Sequence, residues 1–229
     1  MQSDYAFIMK TEAVKTVAHW VLATRQILDD APQLAAVIDS ELRYGLALAE
    51  DAEILNGDAT GEHLDGLLKN ATAYSAPFDP AGTETMLDQI ALALLQVTLA
   101  DFIPTGVVLH PSDWMRARLL KNGQGEYLLG DPGAAVEPRL FGLPVAATPA
   151  IAVDAFLVGD LVRAANLYDR MRPRVEASTE DSDNFRKNLV TLLAEERLAL
   201  AVKNGAAIVK GDLGNVALAA RRGDAGKAR

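Results

Sequence analysis

The sequence predicts an α+β chain in which a long amphipathic helix and antiparallel strands stand apart from a helix-rich middle. Three observations predict it. An apolar stripe at spacings of three and four runs unbroken from Pro32 to Asn56. A sustained alternation of apolar and polar residues runs from Leu189 to Val202. Between them, helical patterns are interleaved with short apolar runs such as Gly106 to His110.

The first stretch, Tyr5 to Val21, alternates through Tyr5, Phe7, Met9 and Val17 and reads as extended chain or strand. Asp29 and Asp30 precede Pro32, which suits the first turn of a helix. Leu34, Val37, Ile38, Leu42, Gly45, Leu48, Ala49, Ala52 and Leu55 then form one stripe, and Gly57 is a natural stop. Such a helix would be roughly 37 Å long at about 1.5 Å per residue, a spine rather than part of a compact enzyme core. Asn56 to Gly66 is a loop by composition.

A second helix is expected from Thr83 or Glu84 through Leu87, Ile90, Leu94 and Thr98. Gly106 to His110 is a buried strand. Pro111 then opens a helix, with Ser112 as cap and Met115, Leu119 and Leu120 inward. Lys121 to Tyr127 is a turn, and Leu143 to Ala147 and Phe156 to Gly159 are short strands. Arg174 to Ser178 reads as strand. In Leu189 to Val202, Val190, Leu192, Ala194, Leu198, Leu200 and Val202 share a face that Glu196 interrupts, with Thr191, Glu195 and Arg197 opposite. Helix competes here because Leu, Ala and Glu favour it, and the sustained alternation favours strand. The polar stretch Asp169 to Asn188 reads locally as a loop feeding that strand.

Composition narrows function. With 229 residues, 50% of them hydrophobic and 23% charged, the chain can bury a core as one large domain or two small ones. It has no cysteine, so no disulfide framework, thiolate metal site or cysteine nucleophile exists. The longest apolar stretch, Ile90 to Val97, is too short to span a bilayer, and Asp4 argues against a signal peptide. Net charge is −9. Arg221, Arg222, Lys227 and Arg229 against Asp224 give the last eleven residues +3, which leaves −12 on the rest. An acidic body is wrong for a dedicated nucleic-acid reader. The Ala/Gly/Arg-rich end reads as a disordered basic tail, with nucleic-acid contact the competing reading.

Catalytic signals are poor. His19, His63 and His110 lie in separate segments without ligand spacing, and each reads as a structural histidine. There is no nucleophile elbow, phosphate-binding loop or dinucleotide fingerprint. Asp58, Thr60 and Glu62 resemble a calcium loop only superficially, because His63 stands where the sharp turn needs glycine. Trp20 and Trp114 read as core anchors. No cofactor is implied.

One long set of segments goes further. Asp169-Arg-Met-Arg-Pro-Arg-Val-Glu-Ala-Ser-Thr-Glu-Asp-Ser-Asp-Asn-Phe-Arg-Lys-Asn188, continuing to Val202, closely resembles the C-terminal part of the Hong Kong 97-like major capsid proteins of tailed bacteriophages. In order along the chain, so do Val14-Lys-Thr-Val-Ala-His-Trp20, Thr24-Arg-Gln-Ile-Leu-Asp-Asp-Ala-Pro32, Tyr44-Gly-Leu-Ala-Leu48 and Leu55-Asn-Gly-Asp58. Gly106-Val-Val-Leu-His-Pro-Ser-Asp-Trp114, Gly142-Leu-Pro-Val145 and Ala207-Ile-Val-Lys-Gly211 complete the series.

The resemblance implies the Hong Kong 97-like capsid fold and a structural role: an icosahedral shell subunit of a phage or prophage, built from pentamers and hexamers around double-stranded DNA. It implies a peripheral domain at 21–63 and 161–202, an axial domain at 64–160 and 203–216, a remnant of an extended loop at 1–20, and the tail at 217–229. Its implied partners are other copies of itself, the portal, a scaffold or maturation protease, and packaged DNA without sequence preference. The implied setting is the virion capsid, assembled in the bacterial host cytoplasm. An encapsulin-type nanocompartment shell is the alternative within the same fold, and a small soluble enzyme the alternative outside it.

The resemblance also implies a protein-made isopeptide crosslink, with Asn188 matching the acceptor asparagine and Glu195 the glutamate that takes the proton. The chemistry is sensible, since an attacking lysine must lose a proton and a carboxylate in apolar surroundings is suited to take it. The family's crosslinking lysine would align just upstream of Met1, and its N-terminal arm and most of its extended loop would lie ahead of Ser3. Lys10 and Lys15 are near but do not match that position.

Overall fold

The computed structural model describes residues 9–26, 32–79, 85–130 and 137–214, with the side chains of 32–35 left out. The expectations for Tyr5 and Phe7, for Asp29 and Asp30, for the Leu34 side chain, for Thr83 and Glu84, and for the basic tail lie outside the described residues. In chain order the elements are β1 (Lys15–Thr24), α1 (Pro32–Asn56), α2 (Leu67–Asn70), β2 (Thr72–Ala73), α3 (Met86–Leu99), β3 (Gly106–Leu109), α4 (Pro111–Arg118), β4 (Arg139–Leu140) and β5 (Leu143–Ala147). There follow β6 (Ala155–Gly159), α5 (Leu161–Ala164), β7 (Ala165–Ser178), α6 (Asn184–Lys187), β8 (Leu189–Val202), a 3₁₀ turn (Gly205–Ala207) and β9 (Ile208–Asp212). The chain divides into two compact units: Met1–Glu50, Gly61–Leu64 and Leu167–Ala201 form unit 1, and Asp51–Thr60, Asp65–Asn166 and Val202–Arg229 form unit 2. No described helix is long and apolar enough to cross a membrane.

Unit 1 is a three-stranded sheet in the order β1-β8-β7, with α1 on one face. β1 and β8 pair antiparallel from Lys15 opposite Leu198 to Thr24 opposite Leu189. The alternation of β8 has its expected cause: Val190, Leu192, Ala194, Leu198 and Leu200 are buried on the helix side, joined by Leu42 and Leu46 of α1. β1 starts at Lys15, within the stretch read as loop remnant.

Three expectations are corrected in this unit. The stripe of α1 is narrower than its spacing suggested, because Val37 and Leu48 are exposed. Trp20 is no core anchor: Val17, of opposite parity in the same strand, faces the core, the pleat turns Trp20 to the other face, and it stands 61% exposed. β7 is also far longer than Arg174 to Ser178. Its charges and Pro173 hide the strand period, and they are tolerated because β7 is an edge strand of the sheet.

Unit 2 is a six-stranded sheet in the order β2-β9-β6-β3-β5-β4, parallel at β2/β9 and β3/β5 and antiparallel elsewhere. One cluster, around Ile90, Ala93 and Val97 of α3, packs on Val107, Leu109, Phe156, Val158 and Val209. A second gathers Leu55 and Ile151 with Val108, Leu157 and Ile208, the residues of β3, β6 and β9 with the opposite parity.

Helix α3 starts at Met86, two residues after Glu84. Thr85 caps it in a reciprocal box with Asp88. At α4 the cap is His110 and not Ser112: the His110 imidazole accepts the Ser112 N–H at 3.2 Å. Met115 and Leu119 are half-exposed rather than inward, whereas Trp114 and Leu120 do pack on the core. Gly57 follows the last residue of α1 and donates to Glu53 O at 3.0 Å. Asp58 of the calcium-like loop spends its carboxylate on the Thr60 N–H and hydroxyl, at 2.9 and 2.8 Å.

Candidate functional site

The residues singled out for chemistry lie on unit 1, on or beside the sheet face turned away from α1. β8 alternates, so Thr191, Leu193 and Glu195 project to this face while their neighbours are buried. β1 supplies Trp20, paired with Leu193, and Ala18, paired with Glu195. β7 supplies Arg174 and Glu176. Between them lies a groove of about 500 Å³ lined by Trp20, Glu176, Ala177, Ser178, Asp181, Thr191 and Leu193.

Glu195 does not sit in apolar surroundings. Its Oε1 accepts from Arg174 at 2.6 Å (Nη2) and 3.0 Å (Nε), and the carboxylate is 18% exposed. Arg174 also reaches Glu176 at 2.9 Å. The bond to Glu195 raises the Arg174 guanidinium further above its ordinary value, with Glu176 adding to it. Arg174 therefore holds Glu195 flat on the strand, and sequence reasoning passed over it because its role depends on a strand 21 residues away.

Asn188 closes α6 in the left-handed conformation, φ +55° and ψ +41°, which asparagine tolerates better than most residues. Its N–H donates to Asn184 O, and its carbonyl accepts the Arg25 N–H at 3.0 Å, so the backbone is pinned on both sides while the residue is exposed. Below it, the Asn184 amide donates to the Thr191 hydroxyl at 2.6 Å, which donates to Asp181 at 2.9 Å, and this fastens α6 to β8. Lys187 pairs with Asp183 at 2.7 Å and holds that carboxyl below its ordinary range.

Asn188 and Glu195 are not brought together. The extended strand between them keeps them roughly 20 Å apart at about 3.3 Å per residue. Neither is paired with a lysine in these contacts. The carboxyl that is buried is the next residue, Glu196, whose raised pKa of about 7 is due first to burial and then to Glu50 and Asp169. Its break in the apolar face of β8 was the sequence signal. Among the described residues no group of three or more His, Asp or Glu is arranged to hold a metal.

Residues 1–213 match the model of the phage capsid family, and the chain belongs to that family. It is 49% identical over 210 residues to the major capsid protein of Enterobacteria phage HK97, an alignment covering 92% of this chain and 54% of the relative. The chain thus spans about half the length of the curated relative it matches. Among solved structures, the fold is shared with one described as Gordonia phage Cozz (TM-score 0.70, 15% identity, 93% of this chain and 78% of that one). It is shared with Mycobacterium phage Bobi (0.70, 16%, 88% and 72%). A capsid of an empty GTA particle is also similar (0.67, 20%, 93% and 80%).

Proposed function

We propose that this chain is a structural subunit of a tailed-phage or prophage capsid, which tiles with copies of itself into pentamers and hexamers of an icosahedral shell around double-stranded DNA. The observation that carries this reading is the family match running through both units, from residue 1 to 213. The capsid description of the relative at 49% identity favours the phage shell over a nanocompartment. Unit 1 then serves as the peripheral domain and unit 2 as the axial domain. The acidic body agrees with a wall that must not adhere to its genome. In this role the portal, a scaffold or maturation protease and the packaged DNA are the remaining partners, and assembly takes place in the host cytoplasm. If particles purified from the host carry this chain as their most abundant polypeptide, the reading holds; particles that lack it contradict the reading.

Asn188 and Glu195 are proposed as the acceptor and the proton acceptor of an intersubunit isopeptide bond. A lysine amine from another subunit attacks the Asn188 carboxamide, the new amide forms, and ammonia leaves. The separation of the two residues along one strand supports an arrangement completed by a neighbouring chain. Shells that crosslink should give covalent ladders on denaturing gels. Glu195→Ala and Asn188→Asp should each reduce the ladders to monomer, the first by removing a proton acceptor and the second by presenting a poor electrophile. Ladders that persist in both variants would rule these residues out.

A further inference from the structure

The buried row of β8 is broken at one place. Val190, Leu192, Ala194, Leu198 and Leu200 are apolar, whereas Glu196 between them is 2% exposed and its Oε1 has no hydrogen-bond partner. A charged carboxylate in such a position is costly. The groups that face it make matters worse. Glu50 of α1 and Asp169 of β7 both disfavour a charge there. From β1, Val17 stands opposite. Along the same face, Lys15 donates to the Gly61 carbonyl, and the His19 ring lies against Gly45 of α1. On β8 itself, Glu195 and Arg197 have the opposite parity. Burial, then Glu50 and Asp169, push the Glu196 carboxyl up to about 7.

We propose that Glu196 is a proton-set latch on the packing of α1 against the sheet of unit 1. Protonated, it fills its place in the row as a neutral side chain. Ionised, it adds a third carboxylate charge beside Glu50 and Asp169 and loosens the helix from the sheet. A carboxyl raised in the folded state stabilises in full below its ordinary value of 4.5, and that contribution is lost as pH rises through about 7. The closed packing is therefore favoured on the acid side of neutrality and weakened above it. The latch is a property of unit 1 alone and holds whether or not the chain tiles a shell.

Hydrogen exchange of the full chain, corrected for the intrinsic pH dependence of amide chemistry, tests this. By linkage, opening at residues 42–50 and 190–200 should rise about tenfold between pH 6 and pH 8. Glu196→Gln, neutral and of the same shape, should remove that rise and slow exchange at pH 8, while the amides of α3 and β6 in unit 2 do not respond to the substitution. If Glu196→Gln keeps the pH dependence of the parent, the latch does not exist. Carbon-13 titration of glutamate carboxyls in the unsubstituted protein checks the same point without a variant. One carboxyl should titrate near neutral pH, and completion of all of them below pH 6 would overturn the proposal.

Discussion

Phe156→Ala is expected to destabilise unit 2 by about 3–5 kcal/mol, the usual range for deleting a buried aromatic side chain. Phe156 is fully buried in β6, which pairs with β3 on one side and β9 on the other. Its ring meets Tyr74 edge-on with centroids 5.9 Å apart, and Gly211 leaves the space the ring occupies, since a Cβ there would lie 2.3 Å from the ring. Alanine leaves that space unfilled and removes the edge-to-face contact. Chemical denaturation followed by a signal from unit 2 should show a lower midpoint with an unchanged slope. A loss below about 1 kcal/mol would mean the site collapses around the smaller residue, contrary to its place between two strands and a tyrosine.

Gly159→Ala should cost about 3 kcal/mol or more, by a different route. Gly159 ends β6 at φ +152°, where side chains are rare. A Cβ built there falls 2.2 Å from Ala207 O and 2.7 Å from the Ile208 Cα, both backbone atoms that no rotamer change can move aside. Relief requires β6 and β9 to part, which strains the Asp160 N–H bond to Ala207 O at 2.9 Å and the Thr105 N–H bond to Gly159 O at 2.8 Å. The variant should express poorly or unfold at a markedly lower temperature. Unchanged stability would show that the strands can separate at this point without cost.

Much of this architecture was legible from local pattern, and the misses have a common cause. β8 was found with its boundaries because its alternation lies against a helix on one face and solvent on the other, which forces a clean period of two. α1 was found because Pro32 and Gly57 punctuate it. Only the end of β7 is legible, because an edge strand carrying Asp169, Arg170, Arg172 and Arg174 shows no apolar period. β2, β4 and β9 are not legible as strands, since two to five residues carry too little local pattern. The exposure of Trp20 needed the parity of its strand relative to Val17, and the Arg174–Glu195 pair needed the register of β7 on β8. Glu195 and Asn188 came from family resemblance alone. Glu196 could have been found without it, as a carboxylate in a row of leucines and valines.

On the proposed reading, both units of this chain form the wall of a phage shell. Electron cryomicroscopy of particles made from the gene in its natural setting tests it most directly. The expected reconstruction is a closed icosahedral shell whose density takes the three-stranded unit and the six-stranded unit at each lattice position, with capsomers of five and six copies. Particles whose walls are built from another polypeptide, with this chain recovered only as a soluble species, would contradict it.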